Sequence, residues 1–205
     1  MNSVNLFRTM SFVFQCCWTL VSVSGLYNCS GFMLCGPLQA NLFSSSSLCT
    51  PICFFIMRNV FKSWNVLCWN IRGMNADTKL LSLRQKIEES GCHVFYVQET
   101  KKQNFTIPDI KTFAPKRFDA FAFSPSRGAS GGILVVWVSN VFLGTPGEIN
   151  SFSVTVNFVS RQSSEAWTLT CIYGPCSGPE RSDFVAWLKN FSFGSVDNID
   201  SPRRL

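Results

Sequence analysis

The sequence contains little charge and almost no histidine, and both shortages limit the chemistry available to the protein. Charged residues make up 15% of the 205 residues, and His93 is the single histidine. A zinc centre built from several histidines of this chain is therefore excluded, and no two cysteines have the CxxC spacing of a zinc or redox site. The 46% content of hydrophobic residues is typical of a globular chain.

Charge is missing altogether from one long segment. Residues 9–57 contain no Lys, Arg, Asp, Glu or His, and Asp77 is the first acidic residue of the chain. Gln, Asn, Gly, Pro and Ser interrupt this segment too often to predict a membrane-spanning helix. We therefore predict that residues 1–61 form a separate, poorly ordered extension rich in Cys, Phe and Ser. A secretory or membrane-associating signal in residues 1–30 is the alternative.

The positions of the cysteines in the sequence indicate buried thiols. Six of the ten cysteines lie in the extension, which leaves four for the rest of the chain. Cys68, Cys92 and Cys171 lie in apolar, strand-like segments, where a free cysteine acts as a small buried hydrophobic residue. We expect these three residues to be reduced and structural.

We predict that residues 62–193 form one domain and that residues 194–205 form a disordered tail. Strands are predicted at residues 64–71, 92–97, 118–123, 132–138, 152–159 and 167–173. Helices are predicted at residues 79–90, where Asn75 or Asp77 caps the start and Gly91 ends the helix, and at residues 181–191. This order predicts an α+β fold with mostly antiparallel sheets.

Polar residues follow two of the predicted buried strands at the points where the strands end. Asn70 ends the first strand, and Glu99 follows the second. A carboxylate and a carboxamide brought together at strand ends offer the oxygen ligands that Mg²⁺ prefers. Polar strand ends are common, so this pattern alone is weak evidence for a metal site.

Several ordered motifs add to that pattern. The segments WNIRG at residues 69–73, QETK at 98–101 and IYGP at 172–175 resemble the endonuclease/exonuclease/phosphatase superfamily. The segment SPSRGASGGI at residues 124–133, after FD at 118–119, resembles more narrowly the endonuclease domain of plant LINE-type retrotransposons. The resemblance covers about residues 64–191. It implies a four-layer α/β sandwich that hydrolyses phosphodiesters with Mg²⁺, or with Mn²⁺ in its place.

The resemblance also implies roles for individual residues. Glu99 matches the metal-binding glutamate, Asn70 an asparagine that positions metal and phosphate, and Tyr173 an aromatic residue near the scissile phosphate. Each has a simpler alternative: Asn70 caps a loop, Glu99 pairs with Lys101 or Lys102, and Tyr173 is a core aromatic residue.

A second group of residues is expected to contact the nucleic-acid backbone. Lys101 and Arg127 carry positive charge, and Ser130 precedes two glycines whose amides could approach a phosphate. The alternative for the glycines is a tight turn that leads into the strand at residues 132–138. The net charge of +6 is compatible with binding to DNA and equally with an ordinary soluble surface.

Part of the expected catalytic set is missing. The superfamily also uses an Asp-x-Asn after the tyrosine strand and a late Asp and His, but this chain has no Asp-x-Asn and its only histidine precedes Glu99. We interpret His93 as a packed residue inside the strand at 92–97. Only about 140 residues follow Lys62, whereas sandwich domains of this kind commonly have roughly 200–250. An incomplete domain with open, self-associating sheet edges is therefore expected.

These observations predict a truncated Mg²⁺-dependent DNA endonuclease domain of retrotransposon origin, nuclear if functional, with impaired or absent activity. One alternative is a non-catalytic nucleic-acid or phosphate-binding remnant. The other is a phosphoinositide phosphatase or RNA deadenylase of the same superfamily.

Overall fold

The structure, a computed structural model, describes residues 65–128, 130–175, 178 and 180–191, together with the backbone of four earlier strands. Those strands are β1 (Thr9–Phe14), β2 (Thr19–Ser22), β3 (Gly31–Leu34) and β4 (Ile52–Arg58). The rest of the predicted extension and the predicted tail lie outside the described residues. No described helix is long and apolar enough to cross a membrane.

From Asn65 onward, three helices and seven strands follow in an order close to the predicted one. The elements are β5 (Asn65–Asn70), α1 (Asp77–Ser90), β6 (Val94–Gln98), α2 (Ile107–Phe113), β7 (Ala120–Arg127), β8 (Ser130–Trp137), β9 (Phe142–Ile149), β10 (Ser153–Ser160), β11 (Ala166–Gly174) and α3 (Glu180–Asn190). All six predicted strands and both predicted helices are confirmed within a few residues. The sequence analysis missed α2 and β9.

The two missed elements have atypical sequences. α2 is only seven residues long and begins at a capping box in which Thr106 and Asp109 bond each other's backbone N–H groups. β9 contains Gly144, Pro146 and Gly147, residue types that are depleted in strands. Because β9 is the last strand of its sheet, a proline there removes no necessary hydrogen bond.

The start of α1 differs from the prediction. Ala76 is the residue before the helix, and it makes no side-chain cap, so neither Asn75 nor Asp77 caps the helix as predicted. Asp77 instead lies in the first turn, where its negative charge favours the positive end of the helix dipole. Gly91 ends the helix as predicted, because its φ of 60° is a left-handed conformation that glycine adopts easily.

The strands form two sheets. The first sheet has the order β2-β5-β6-β8-β7, and the second sheet has the order β3-β1-β4-β11-β10-β9. Residues from Asn65 onward contribute four strands to the first sheet and three to the second. β5 and β6 are parallel, whereas β8 is antiparallel to β6 and to β7, and β10 is antiparallel to β9 and to β11. The predicted α+β fold with mostly antiparallel sheets is therefore confirmed.

A hydrophobic core joins the two sheets. Tyr96 and Val135 of the first sheet pack in one cluster with Phe158, Trp167 and Leu169 of the second. Phe158 and Trp167 stack with ring centroids 4.5 Å apart. Burial of each such side chain contributes about 1.5–3 kcal/mol to folding. The alternation of buried and exposed residues along β10 brings one face of the second sheet into this core.

The helices pack on the remaining faces of the sheets. Leu83 and Ile87 of α1 and Ile110 of α2 form a cluster with residues of the first sheet that point away from the core between the sheets. Phe184 of α3 packs against Ile172 of the second sheet in a third cluster. Both predicted helices thus bury apolar residues against a sheet, whereas Leu81 of α1, which the apolar spacing of the sequence also assigns to the buried side, is 66% exposed.

The register of the first sheet places polar side chains at one end of the core. Paired residues form a core row of Cys68, Tyr96, Val135 and Ala122, and all four are buried between the sheets. A second row lies two residues away from the core row, towards the carboxyl ends of β5 and β6. This rim row consists of Asn70, Gln98, Ile133 and Ser124. Side chains two residues apart face the same side of a strand, so the rim row also faces the second sheet.

Candidate metal and phosphate site

The rim row leads directly to the predicted pair of metal ligands. Asn70 Nδ2 donates a hydrogen bond of 3.0 Å to Glu99 Oε1, and both residues are half-buried. β5 and β6 are parallel neighbours, so their carboxyl ends meet at the same edge of the sheet. Among the described residues, no ion pair joins Glu99 to Lys101 or Lys102, so the simpler alternative for Glu99 is not observed.

The backbone around this pair is strained. Arg72, Glu99 and Lys101 have φ values of 52°, 54° and 55°, a left-handed region that side chains other than glycine rarely adopt. Hydrogen bonds between the two loops hold this conformation: Gly73 N donates to Glu99 O at 2.6 Å and Met74 N to Thr100 O at 3.0 Å. Strain of this kind costs about 1–3 kcal/mol per residue and is concentrated at functional sites.

Asn70 has a second role in the same loop. Its Oδ1 accepts a hydrogen bond of 3.2 Å from Arg72 N. The loop-capping alternative for Asn70 is therefore observed together with its contact to Glu99. The two hydrogen bonds fix the orientation of the carboxamide.

Lys79 of α1 holds the loop after Asn70. Its ammonium group donates to Ile71 O at 3.2 Å, Arg72 O at 2.9 Å and Gly73 O at 3.3 Å. Three successive carbonyl oxygens thus converge on one cation, which uses all three of its donors. This contact fixes the loop that carries Arg72 and so supports the position of Asn70.

The two glycines of the predicted phosphate loop have different structural roles. Gly132 has a φ of 88°, and the space for a Cβ is taken by Thr100 Oγ1, which would lie 2.3 Å away. Gly131 O accepts a hydrogen bond of 3.1 Å from Lys101 N. Gly132 is therefore required for the close packing of β8 on the Glu99 loop. Both glycines belong to β8 and follow the turn from β7.

The hydrogen-bonded residues Asn70 and Glu99 are called the acid pair, after the single carboxylate of Glu99. A shallow depression lies next to this pair on the side of the second sheet. Its cavity volume is about 40 Å³, and its lining includes Arg127, Ser130, Phe152, Tyr173 and Glu180. Gly131 also lines it, with its Cβ position 3.8 Å from Tyr173 Cε1, and the carbonyl oxygen of Gly131 accepts the hydrogen bond from Lys101 N in the Glu99 loop.

The predicted phosphate-contacting residues lie around this depression. Arg127 and Ser130 are paired across the turn between β7 and β8, and Ser130 Oγ donates to Arg127 O at 3.3 Å. Both side chains are exposed. Tyr173 is only 8% exposed and belongs to the core cluster between the sheets. Its role as a core aromatic residue is therefore observed, and its ring also forms part of the wall of the depression.

The six predicted site residues thus fall into two adjoining groups. Asn70, Glu99 and Lys101 form the acid-pair group, whereas the depression contains the other three, Arg127, Ser130 and Tyr173. The sequence analysis did not identify Gln98, Lys79 or Glu180 as site residues. Only Gln98 carried a signal, because it is a polar residue at the end of an otherwise apolar strand.

His93 lies at the opposite end of β6 from Glu99. It precedes the first residue of the strand and is exposed, so its interpretation as a packed residue inside the strand was wrong. Six residues of extended chain separate it from Glu99 by about 20 Å. Desolvation by neighbouring atoms lowers the pKa of His93, and the Arg117 guanidinium lowers it further.

The donor atoms at the acid pair fit a hard cation. Glu99 offers a carboxylate and Asn70 an amide oxygen, and Mg²⁺ commonly takes one or two protein ligands of this type and keeps several waters. In the part of the chain that the structure describes, no group of three or more His, Cys, Asp and Glu side chains is arranged to hold a metal. Cys68, Cys92 and Cys171 are buried free thiols, as predicted, and burial raises the pKa of Cys92 and Cys171.

Comparison with known proteins leaves the residues as the only guide to function. No model of a protein family matches the chain, and no curated protein matches it.

Proposed function

We propose that the chain carries a Mg²⁺-dependent phosphodiesterase site that acts on DNA, in a form whose catalysis is impaired. The observation that supports this proposal best is the hydrogen bond of 3.0 Å between Asn70 and Glu99 on a strained backbone. The resemblance of residues 64–191 to the endonuclease of LINE-type retrotransposons supports the same chemistry. Two sheets with helices packed on their outer faces also suit the four-layer sandwich that the resemblance implies.

Glu99 would hold the cation, and Asn70 would contribute its amide oxygen. Bound there, Mg²⁺ would supply Lewis acidity to a phosphoryl oxygen. Arg127 and Lys101 are exposed next to these residues and would neutralise the DNA backbone. Ser130 Oγ lies beside Arg127 in the same wall and would donate to a phosphate oxygen in exchange for its hydrogen bond to Arg127 O.

Catalysis is expected to be weak because the chain supplies few acids at the site. Glu99 is the one carboxylate of the acid pair, and the sequence has no Asp-x-Asn. The Asp-x-Asn that the resemblance implies for orienting the attacking water is therefore absent from the sequence, and general-base catalysis typically contributes 100- to 10,000-fold to a rate. A single carboxylate with retained waters should bind Mg²⁺ with a dissociation constant on the order of millimolar.

Nicking of supercoiled plasmid by the full chain in Mg²⁺ tests the proposal. We expect slow nicking that EDTA stops and that Glu99→Gln abolishes, because the amide removes the negative charge that holds the cation. Glu88→Gln is the matched control: Glu88 lies on α1, where it pairs with Arg84 at 3.3 Å, and this change should leave nicking intact. Nicking that survives Glu99→Gln would contradict the proposed site.

A titration of Mg²⁺ or Mn²⁺ by calorimetry tests the metal separately from catalysis. Binding should be on the order of millimolar and should disappear in Glu99→Gln. Binding in the micromolar range, or binding unchanged by Glu99→Gln, would show that the metal site lies elsewhere.

The second candidate is a DNA-binding module without catalysis. The cations around a single carboxylate favour it, since Arg72, Lys101 and Arg127 are all exposed near Glu99. Salt-dependent binding of duplex DNA without any nicking in Mg²⁺ or Mn²⁺ would select this candidate.

A further inference from the structure

Gln98 joins the two halves of the site. It is 2% exposed and is the last residue of β6, next to Glu99. Its side chain leaves the first sheet, and Nε2 donates a hydrogen bond of 2.9 Å to Ile172 O in β11 of the second sheet. Tyr173 follows Ile172 in β11. The side chain of Gln98, which directly precedes Glu99, is therefore bonded to the residue that directly precedes Tyr173.

The register shows that this contact is built into the rim row. Gln98 pairs with Asn70 on one side and with Ile133 on the other. In the core row, the equivalent position on β6 is Tyr96, which contributes to the hydrophobic core. A hydrophobic side chain at position 98 would fill the space between the two sheets but would allow one sheet to slide relative to the other. A hydrogen bond to one carbonyl oxygen instead favours a single position of one sheet relative to the other, which is the offset between the sheets.

Ser124, also in the rim row, makes a similar contact. Its Oγ donates a hydrogen bond of 2.7 Å to Asn150 O, in the turn between β9 and β10. Asn150 Oδ1 in turn accepts from Phe152 N at 2.8 Å, and Phe152 lines the depression. Each of the two buried polar residues of the rim row thus bonds a backbone carbonyl close to the wall of the depression.

We infer that Gln98 is a positioning residue that sets the distance between Glu99 and Tyr173 across the two sheets. This inference rests on the proposed function for its catalytic consequence, but the placement of Tyr173 by Gln98 is independent of it. A buried amide that loses its hydrogen-bond partner destabilises the fold, so the bond strongly favours the observed offset. A misplacement of about 1 Å at a reacting group lowers a rate by about 100-fold.

Fluorine NMR of the full chain labelled with 3-fluorotyrosine measures this placement directly. The chain contains three tyrosines, Tyr27, Tyr96 and Tyr173, and Tyr173→Phe identifies the resonance of Tyr173. Gln98→Met keeps the length of the side chain but removes the donor. We expect it to displace the Tyr173 resonance in the absence of any metal. An unchanged Tyr173 resonance would overturn the inference, whatever the activity of the protein.

Two further variants separate positioning from a general loss of stability. Thr155→Val removes the hydrogen bond of 3.1 Å between the Thr155 and Thr170 hydroxyls, which joins two strands of the same sheet. It should leave the Tyr173 resonance in place, and an equal displacement would count against the inference. If Gln98→Met does not fold, Gln98→Asn keeps the carboxamide with one carbon less and must displace the resonance in its place.

Added Mn²⁺ and plasmid nicking connect the placement to the site. Mn²⁺ bound at Glu99 should broaden the Tyr173 resonance of the wild type, and Gln98→Met should reduce the broadening while the Mn²⁺ affinity changes by less than about 2-fold. The kcat of nicking should fall by about 100-fold with little change in KM. In the Tyr173→Phe background, Gln98→Met should have almost no further effect on kcat, and independent, additive losses would overturn the inference.

If the wild type shows neither broadening nor nicking, the proposed function is refuted, but the inference about Gln98 is not. The metal-free displacement of Tyr173 would still decide the role of Gln98.

Discussion

The two ends of the first sheet differ in the way they satisfy their polar groups. At the end where β6 begins, exposed Asp119 bonds Ser139 N at 2.9 Å and Ser139 Oγ at 2.7 Å, an ordinary loop closure. At the end where β6 stops, polar side chains are buried and the residue that follows, Glu99, is strained. In the first sheet, the described residues other than glycine that have a positive φ therefore lie at one end, which carries the acid pair; Ser164, with a φ of 56°, lies in the turn between β10 and β11 of the second sheet. The variants below test this difference.

Gly132→Ala should have the largest effect, at the strained end. The new Cβ would lie 2.3 Å from Thr100 Oγ1, and the φ of 88° disfavours alanine. The overlap and the strain together should destabilise the fold by about 3 kcal/mol in urea unfolding. Gly128→Ala is the control, since nothing lies within 4 Å of its Cβ position and only its φ of 57° opposes the change. Equal losses in the two variants would show that the packing of Gly132 on Thr100 contributes little.

Asp119→Ala should have a moderate effect, at the ordinary end. It removes the two hydrogen bonds to Ser139 from an exposed position, which should destabilise the fold by about 1 kcal/mol. DNA binding and any nicking should not change, because Asp119 lies at the end of the sheet opposite the acid pair. A measurable change in DNA affinity at constant stability would contradict the separation of the two ends.

Arg127→Ala should leave stability almost unchanged but weaken DNA binding. The side chain is exposed, and its loss should reduce the slope of log K against log salt concentration by about 1. Arg117→Ala removes the same charge at the far end, where the guanidinium lies 4.9 Å from the centre of the Phe118 ring. Fluorescence anisotropy with duplex DNA at several salt concentrations measures both slopes. An equal decrease in the two variants would show that binding follows net charge and involves no particular end.

His93→Gln should have the smallest effect, a change in how stability depends on pH. The pKa of His93 in the folded state is lowered from the usual 6.5 by desolvation from neighbouring atoms and by the charge of Arg117. The unfolded chain therefore takes up a proton first as the pH falls below 6.5, and folding loses stability there. The variant should lose slightly less stability than the wild type between pH 7 and about pH 5. An identical pH dependence of the urea midpoint would contradict this expectation.

The fold was largely predictable because its signals are local. Runs of apolar residues marked the strands, and apolar residues at helical spacing marked α1. α2 was too short for such a period, and β9 contains residues that usually interrupt strands.

The candidate site was predictable only in part. Asn70 and Glu99 end adjacent strands, so their meeting follows from the order of the elements. The contacts of Lys79 and Gln98 could not be predicted, because each bonds backbone carbonyls, which every residue carries. Glu180 reaches the depression only through the packing of α3 on the second sheet.

The separations of the bonded residues along the chain also imply an order of assembly during synthesis. The hydrogen bond between Asn70 and Glu99 joins residues 29 apart, whereas that between Gln98 and Ile172 joins residues 74 apart. As the ribosome releases the chain from its amino end, the acid pair is able to form as soon as β5 and β6 are out, long before β11 exists. The nascent protein would thus assemble the proposed cation ligands first and the wall of the depression last.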